Sequence, residues 1–233
     1  MALIVLTNDD GIDAPGIRAL QAALPQGEIS RCAIVAPDAP LSGCSHQLNR
    51  GGIIAIAQRA DDEYAIGGTP ADCSRVAISH LYPEVDWVLS GINAGGNMGA
   101  DVYVSGTVAA VREATLLRKS AIAISQYRYR THAYDWDRAT RLTARVLTKL
   151  MEKPSQPGQF WNVNLPAAPL DGAADEPEIV FCTQCTQPLP IECEVDEKGF
   201  RYVGAYENRR RDSGADVDVC LSGHISVVKV QMW

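Results

Sequence analysis

The chain has 233 residues, enough for one large domain that buries roughly 70–75% of its unfolded surface, so disulfides are not required for folding. At 46% hydrophobic and 21% charged residues it lies outside the disordered and collagenous classes, and a formal net charge of -7 argues against a general nucleic-acid binder, which needs clustered Lys and Arg. The longest apolar runs, Ile53–Ala57 and Ala121–Ile124, fall far short of the roughly 18 residues of a membrane span, and Met1–Leu6 lacks the basic flank of a signal peptide, so no membrane partner and a cytoplasmic location are expected.

Ala2–Leu6 is a short continuous apolar run, as in a parallel strand buried on both faces. Pro15 suits the first turn of a helix with Ile17, Leu20 and Leu24 on one face, ended by Pro25 and Gly27. Ala33–Ala36 reads as the second strand, and a helix follows Thr69-Pro70. The pattern repeats with a strand at Trp87–Leu89, a helix at Val108–Leu117 and a buried strand at Ala121–Ile124. Asp135 caps a helix whose inward face is Ala139, Leu142, Val146 and Leu150, ending before Pro154. Such alternation predicts an α/β fold with a mostly parallel sheet, whose ligands bind beyond the carboxyl ends of the strands.

After Pro166 the texture changes. Pro166–Pro169 and an acidic stretch, Asp171–Glu178, lead to strand-like Ile179–Phe181 and later to Phe200–Val203. These predict an antiparallel excursion, with a protruding arm over residues 183–211 inside a single domain of residues 1–233. Ile225–Val230 is β-rich and is expected to rejoin a sheet.

Four loops carry the chemistry. In Thr7-Asn8-Asp9-Asp10-Gly11 two adjacent carboxylates follow a buried strand, where they repel unless a hard cation lies between them; the alternative is a helix cap beside a solvated Asp. Ser42-Gly43 offers a hydroxyl and backbone N–H groups to an anion or a metal, or is ordinary turn chemistry. In Ser90–Asp101, small residues let backbone approach a ligand while the amides of Asn93 and Asn97 ligate metal or donate to phosphate without adding charge. Ser105-Gly106-Thr107 opens a helix, either as an anion site or as a simple N-cap. Together, Asp, Ser and Asn oxygens suit Mg²⁺ or Mn²⁺, and a helix N-terminus for phosphate lies in the same plane.

Other motifs carry less. No Gly-x-x-x-x-Gly-Lys-Ser/Thr loop, dinucleotide fingerprint or Gly-x-Ser-x-Gly elbow is present. The seven cysteines are read as reduced and structural, Cys182 and Cys185 included, because a zinc site needs a further pair. Of four histidines only His46 sits in a candidate loop, where it could act as an acid; His80, His132 and His224 are read as structural. Arg209–Arg211 and Tyr127–Arg130 are read as solvated loops, with contact to a phosphate or a base as the alternative.

The runs Leu6-Thr7-Asn8-Asp9-Asp10-Gly11-Ile12-Asp13-Ala14-Pro15-Gly16, Val35–Asp38, Ser42-Gly43, Gly68–Cys73, Ser90–Asn93, Asp101 and Ser105–Ala110 together resemble the stationary-phase survival protein family, SurE, of metal-dependent 5'-nucleotidases. Weaker similarity continues through Asn162–Pro166 and Gly223–Val227, so the resemblance covers nearly the whole chain. It implies a Rossmann-like three-layer α/β core with a protruding C-terminal β-hairpin arm, and homodimers or homotetramers built partly by exchanging that arm. It also implies one divalent metal per subunit, Mg or Mn, on Asp9, Asp10, Ser42 and Asn93, with Asn97, Gly43 and Ser105–Thr107 around a phosphate. Asp9, Asp10, Asn97 and Ser105 are then the catalytic candidates. Many members carry tyrosine where this chain has Val104.

The expected activity is hydrolysis of nucleoside 5'-monophosphates to nucleoside and phosphate. An aspartyl-phosphate route through Asp9 or Asp10, and a nucleotide-sensing protein with an inactive site, are the alternatives that use the same residues.

Overall fold

The computed structural model describes residues 1–233 apart from 26, 28, 131 and 169–175. Its first half runs β1 (Ala2–Thr7), α1 (Pro15–Ala22), β2 (Ile29–Pro37), β3 (Ile56–Ala60), β4 (Glu63–Ile66), α2 (Pro70–Val76) and β5 (Trp87–Ala94). Then come α3 (Gly106–Leu116), β6 (Ser120–Gln126), α4 (Trp136–Leu150), β7 (Gln159–Leu165), β8 (Ile179–Cys182), β9 (Cys193–Asp196), β10 (Gly199–Tyr202), α5 (Asp216–Leu221) and β11 (Ile225–Gln231).

Among the described residues, nine strands form one sheet in the order β3-β4-β2-β1-β5-β6-β7-β11-β8. From β4 to β7 all neighbours are parallel, while β3 is antiparallel to β4 and β11 antiparallel to β7. The chain leaves β1 toward β2 on one side and returns to β5 on the other, so a crevice opens at the carboxyl ends of β1 and β5.

The unbroken apolar run of β1 is explained by burial on both faces. Ile4 and Leu6 enter a layer built with Ile17 and Leu20 of α1 and Leu142 and Val146 of α4, whereas Val5 enters the opposite layer with Cys73 of α2 and Val108 and Val111 of α3. Pro15 stands at the start of α1 as expected. Gly16 has no alternative there, because a Cβ would lie 2.0 Å from the carbonyl oxygen of Ile92. In α4, the Asp135 carboxylate accepts the Arg138 N–H at 2.8 Å, and Ala139, Leu142, Val146 and Leu150 are all buried. Each fully buried Leu contributes roughly 1.5–3 kcal/mol, so this stripe holds the helix more than propensity does.

The structure corrects one expectation and extends others. Ile179–Phe181 is not part of an antiparallel excursion: β8 joins the main sheet at its edge, parallel to β11, because Ile225 to Val228 offer it a buried ladder. The hairpin of β3 and β4, the strand β7 and the short α5 were not anticipated. Part of the acidic stretch, residues 171–175, lies outside the described residues.

β9 and β10 do form a separate two-stranded hairpin, closed at its base by Val203 N–H donating to Glu192 O at 2.9 Å. The flanking segments are tied to the body, Cys185 N–H donating to Asp216 at 2.8 Å and Asp216 N–H to Thr183 O at 2.9 Å. No helix among the described residues is long and apolar enough to cross a membrane.

Candidate active site

The loop after β1 brings Asp9 and Asp10 into the crevice between β1 and β5. Asp9 is buried, and its Oδ1 accepts the Thr107 hydroxyl at 2.5 Å from the first turn of α3. Burial above all pushes the Asp9 carboxyl up to about 6; the Thr107 hydroxyl works against this and the neighbouring Asp10 charge adds to it. Asp10 accepts the N–H of Ala94, at the end of β5, at 2.9 Å. Gly106 allows the close approach of α3 to Asp9, since a Cβ there would lie 2.8 Å from Asp9 Cβ and 3.0 Å from Cys44 Sγ.

The Ser42-Gly43 loop is tied to the same corner. Leu41 N–H donates to Asp9 O at 2.8 Å, Ile12 N–H to Pro37 O at 2.8 Å, and Ser45 binds the carbonyls of Tyr103 and Val104. Ser42 and Gly43 are exposed, and Gly43 has the positive φ of 72° that this turn uses. Asn93 donates its amide N–H to Gly95 O at 2.7 Å, which leaves its amide oxygen as the acceptor.

Asn97 is the most firmly held residue of the set. Its side-chain N–H groups reach Ser125 Oγ at 2.8 Å and Thr107 Oγ1 at 3.4 Å. Its backbone N–H donates to Asn164 Oδ1 at 2.7 Å, and its carbonyl accepts from Asn162 at 2.9 Å and from Asn164 at 3.0 Å. Asn162, Asn164 and Ser125 are fully buried, so β7 supplies a polar floor under the loop. Sequence reasoning missed this floor. Its signal is two Asn at a spacing of two inside an apolar strand, which puts both on one face.

The hydroxyls of Ser105 and Thr107 are already engaged, Ser105 Oγ accepting Val108 N–H at 3.1 Å as the N-cap of α3. His46 lies apart from the acidic pair, its Nε2 2.9 Å from Glu113, which Arg75 also binds at 2.5 Å. The solvated reading of Arg209 fails: it is buried, bonded to Asp101 at 2.7 Å, to Tyr206 Oη at 2.8 Å and to Met98 O at 3.2 Å, because Asp101 is itself buried and needs a cation. Arg210 is exposed as expected. All seven cysteines are free, and among the described residues no three of His, Cys, Asp and Glu converge on one point.

The donor set fits a hard divalent cation. Two adjacent carboxylates, one buried and held well above its ordinary range, meet no Lys or Arg in an ion pair among the described residues, and the buried Asn8 Oδ1 beside them has no hydrogen-bond partner. A bound oxygen-seeking cation such as Mg²⁺ or Mn²⁺ would stabilise such a carboxylate, and the Asn93 amide oxygen and Ser42 hydroxyl are the candidate neutral ligands.

The fold and site define a mostly parallel α/β protein with an acidic, amide-lined crevice at its topological switch point, where ligands of such sheets bind. Within it, residues 4–188 match the model of the family described as Survival protein SurE, and the chain belongs to that family. It is 49% identical over 229 residues to a Nostoc sp. protein named "Putative 5'-nucleotidase alr3139", covering 98% of this chain and 99% of that one. It is 36% identical over 241 residues to the "5'/3'-nucleotidase SurE" of Yersinia pseudotuberculosis, covering 100% of this chain and 91% of that one. The crystal structure of the SurE protein from Aquifex aeolicus superposes with a TM-score of 0.84 at 29% identity, over 99% of this chain and 94% of that one.

Proposed function

We propose that this protein is a 5'-nucleotidase that hydrolyses nucleoside 5'-monophosphates to nucleoside and phosphate, with Mg²⁺ or Mn²⁺ held by Asp9, Asp10, Ser42 and Asn93. The observation that carries it is the buried Asp9 carboxyl, pushed up to about 6 beside Asp10 and bonded to Thr107 at the start of a helix that can receive phosphate. When bound, the cation supplies positive charge to a phosphoryl oxygen and acidifies water. The relatives named as nucleotidases support the same substrate class.

The chain's own residues orient and move protons. Asn97, fixed by β7 and with its side-chain N–H groups on Ser125 and Thr107, positions the start of α3, whose Gly106 and Thr107 N–H groups receive the phosphate. The Asp9 carboxylate accepts a proton from the attacking water as the water oxygen bonds to phosphorus. The bond from phosphorus to the 5' oxygen breaks, and that oxygen leaves as the free nucleoside with the proton that Asp9 took from water.

We further place the exposed hairpin of β9 and β10 in a homodimer or homotetramer contact, since Phe200, Tyr202 and Val195 are exposed and a lone hairpin is marginal in water. Seven free thiols fit work in a reducing compartment such as the cytoplasm. The test of the activity is phosphate release from AMP with added Mn²⁺ or Mg²⁺. Turnover by the wild type and its loss in Asp9→Asn are expected; no release with either metal, or an unchanged Asp9→Asn rate, overturns the reading.

A further inference from the structure

One aromatic group beside the acidic pair has no role in the chemistry above. Tyr134 stacks on Trp136, ring centroids 5.2 Å apart at 26°, and the guanidinium of Arg128 lies over the Tyr134 ring at 5.0 Å. Trp136 anchors this stack to the floor of the crevice, its Cη2 3.2 Å from the position of a Cβ on Gly16, which itself packs against Ile92 O. Arg128 is exposed and Tyr134 half-buried. Among the described residues, Arg128 forms no ion pair with a carboxylate.

The stack lies at the carboxyl ends of β5 and β6, on the side of the sheet where the crevice opens. Asp10 accepts the Ala94 N–H, Ala94 is paired with Gln126 across β5 and β6, and Arg128 follows Gln126 by two residues. The Tyr134 hydroxyl is raised, by burial first, with Asp10 raising it further and Arg128 lowering it, as expected of a ring within the field of both. A guanidinium set over an aromatic ring can stack a further planar group, and a nucleobase is the planar group that the leaving side of the substrate carries.

We infer that Arg128, backed by Tyr134 and Trp136, is the platform on which the base of the leaving nucleoside stacks, so that this trio sets preference for nucleotides over other phosphate monoesters. The inference rests on the nucleotidase reading. It assigns Arg128 to specificity and no part to it in phosphate binding or bond cleavage. Planarity matters more than charge, because a lysine ammonium cannot stack as a guanidinium does.

The test compares kcat/KM for AMP with that for glycerol phosphate, which has no base, in wild type, Arg128→Ala, Arg128→Lys and Tyr134→Leu. The ratio of AMP to glycerol phosphate should fall about 10-fold in Arg128→Ala, within the range of one base-stacking contact, through KM and not kcat, and Lys should not restore it. Equal losses on both substrates with rescue by Lys would make Arg128 a phosphate ligand and overturn the inference; an unchanged ratio would overturn it too. Calorimetric binding of adenosine and of inorganic phosphate keeps the two readings apart. If the wild type turns over neither ester, the nucleotidase reading fails, while weaker adenosine binding by Arg128→Ala still supports the platform and unchanged binding refutes it.

Discussion

Thr107 Oγ1 donates to Asp9 Oδ1 at 2.5 Å, joining residues 98 apart in sequence, and it is the hydroxyl that opposes the cost of burying that carboxylate. Two substitutions separate the charge from its support. Asp9→Asn should abolish phosphate release yet leave the chelator-treated protein at least as stable as wild type in thermal melts, because it removes a buried charge that Asp10 repels. Thr107→Val should lower kcat by about 10- to 100-fold and also lower stability, since it leaves a buried carboxylate oxygen without its donor. A destabilised Asp9→Asn, or a fully active Thr107→Val, would contradict this account.

The Asn97 clamp is predicted to be unequal. Asn164 exchanges two hydrogen bonds with the Asn97 backbone and Asn162 donates one to it. Asn164→Ala should therefore cost about 2–3 kcal/mol in urea unfolding and reduce kcat more than it raises KM, while Asn162→Ala has the smaller effect on both because Asn97 O keeps a donor. Steady-state kinetics beside denaturation curves for the two variants check the ordering.

Glu113 contributes to the acid limb of stability. Burial pushes its carboxyl up, but His46 and Arg75 outweigh burial and hold it below the ordinary value of 4.5. A depressed folded-state value means the unfolded chain binds the proton more tightly, so this stabilisation is present above about pH 4.5 and is lost as pH falls through the folded-state value. Glu113→Gln should lose about 2 kcal/mol at pH 7, where His46 and Arg75 lose their partner, and show a flatter decline below pH 4.5. Urea midpoints between pH 3 and pH 7 measure both effects.

The hairpin can be removed at a natural seam. Replacing residues 193–202 by two glycines between Glu192 and Val203 keeps the hydrogen bond that closes its base and leaves Cys185 and Arg209 in place. The shortened protein should be a smaller species than wild type by multi-angle light scattering, and its melting temperature should no longer rise with protein concentration. A wild type already monomeric at micromolar concentration would refute assembly through this element.

The elements legible in the amino-acid order were those whose signal is local. β1 announces itself by an apolar run, α1 by Pro15, α4 by Asp135 and a stripe at helical spacing, and the carboxylate and amide loops by residues that have no other use after a buried strand. Asp9 and Asp10 could be picked out for that reason, and the fold then brought Thr107 and Asn97 to them. What stayed hidden depends on partners distant in the chain. β3 is exposed along its length and carries no alternation, and β8 earns its place only from the ladder that β11 presents. Arg209 reads as a solvated cation until Asp101, 108 residues earlier, is seen buried against it. Asn162 and Asn164 look unsuited to a core strand because sequence polarity records the cost of burial, while the compensating hydrogen bonds to Asn97 exist only once β7 lies beneath the loop that follows β5.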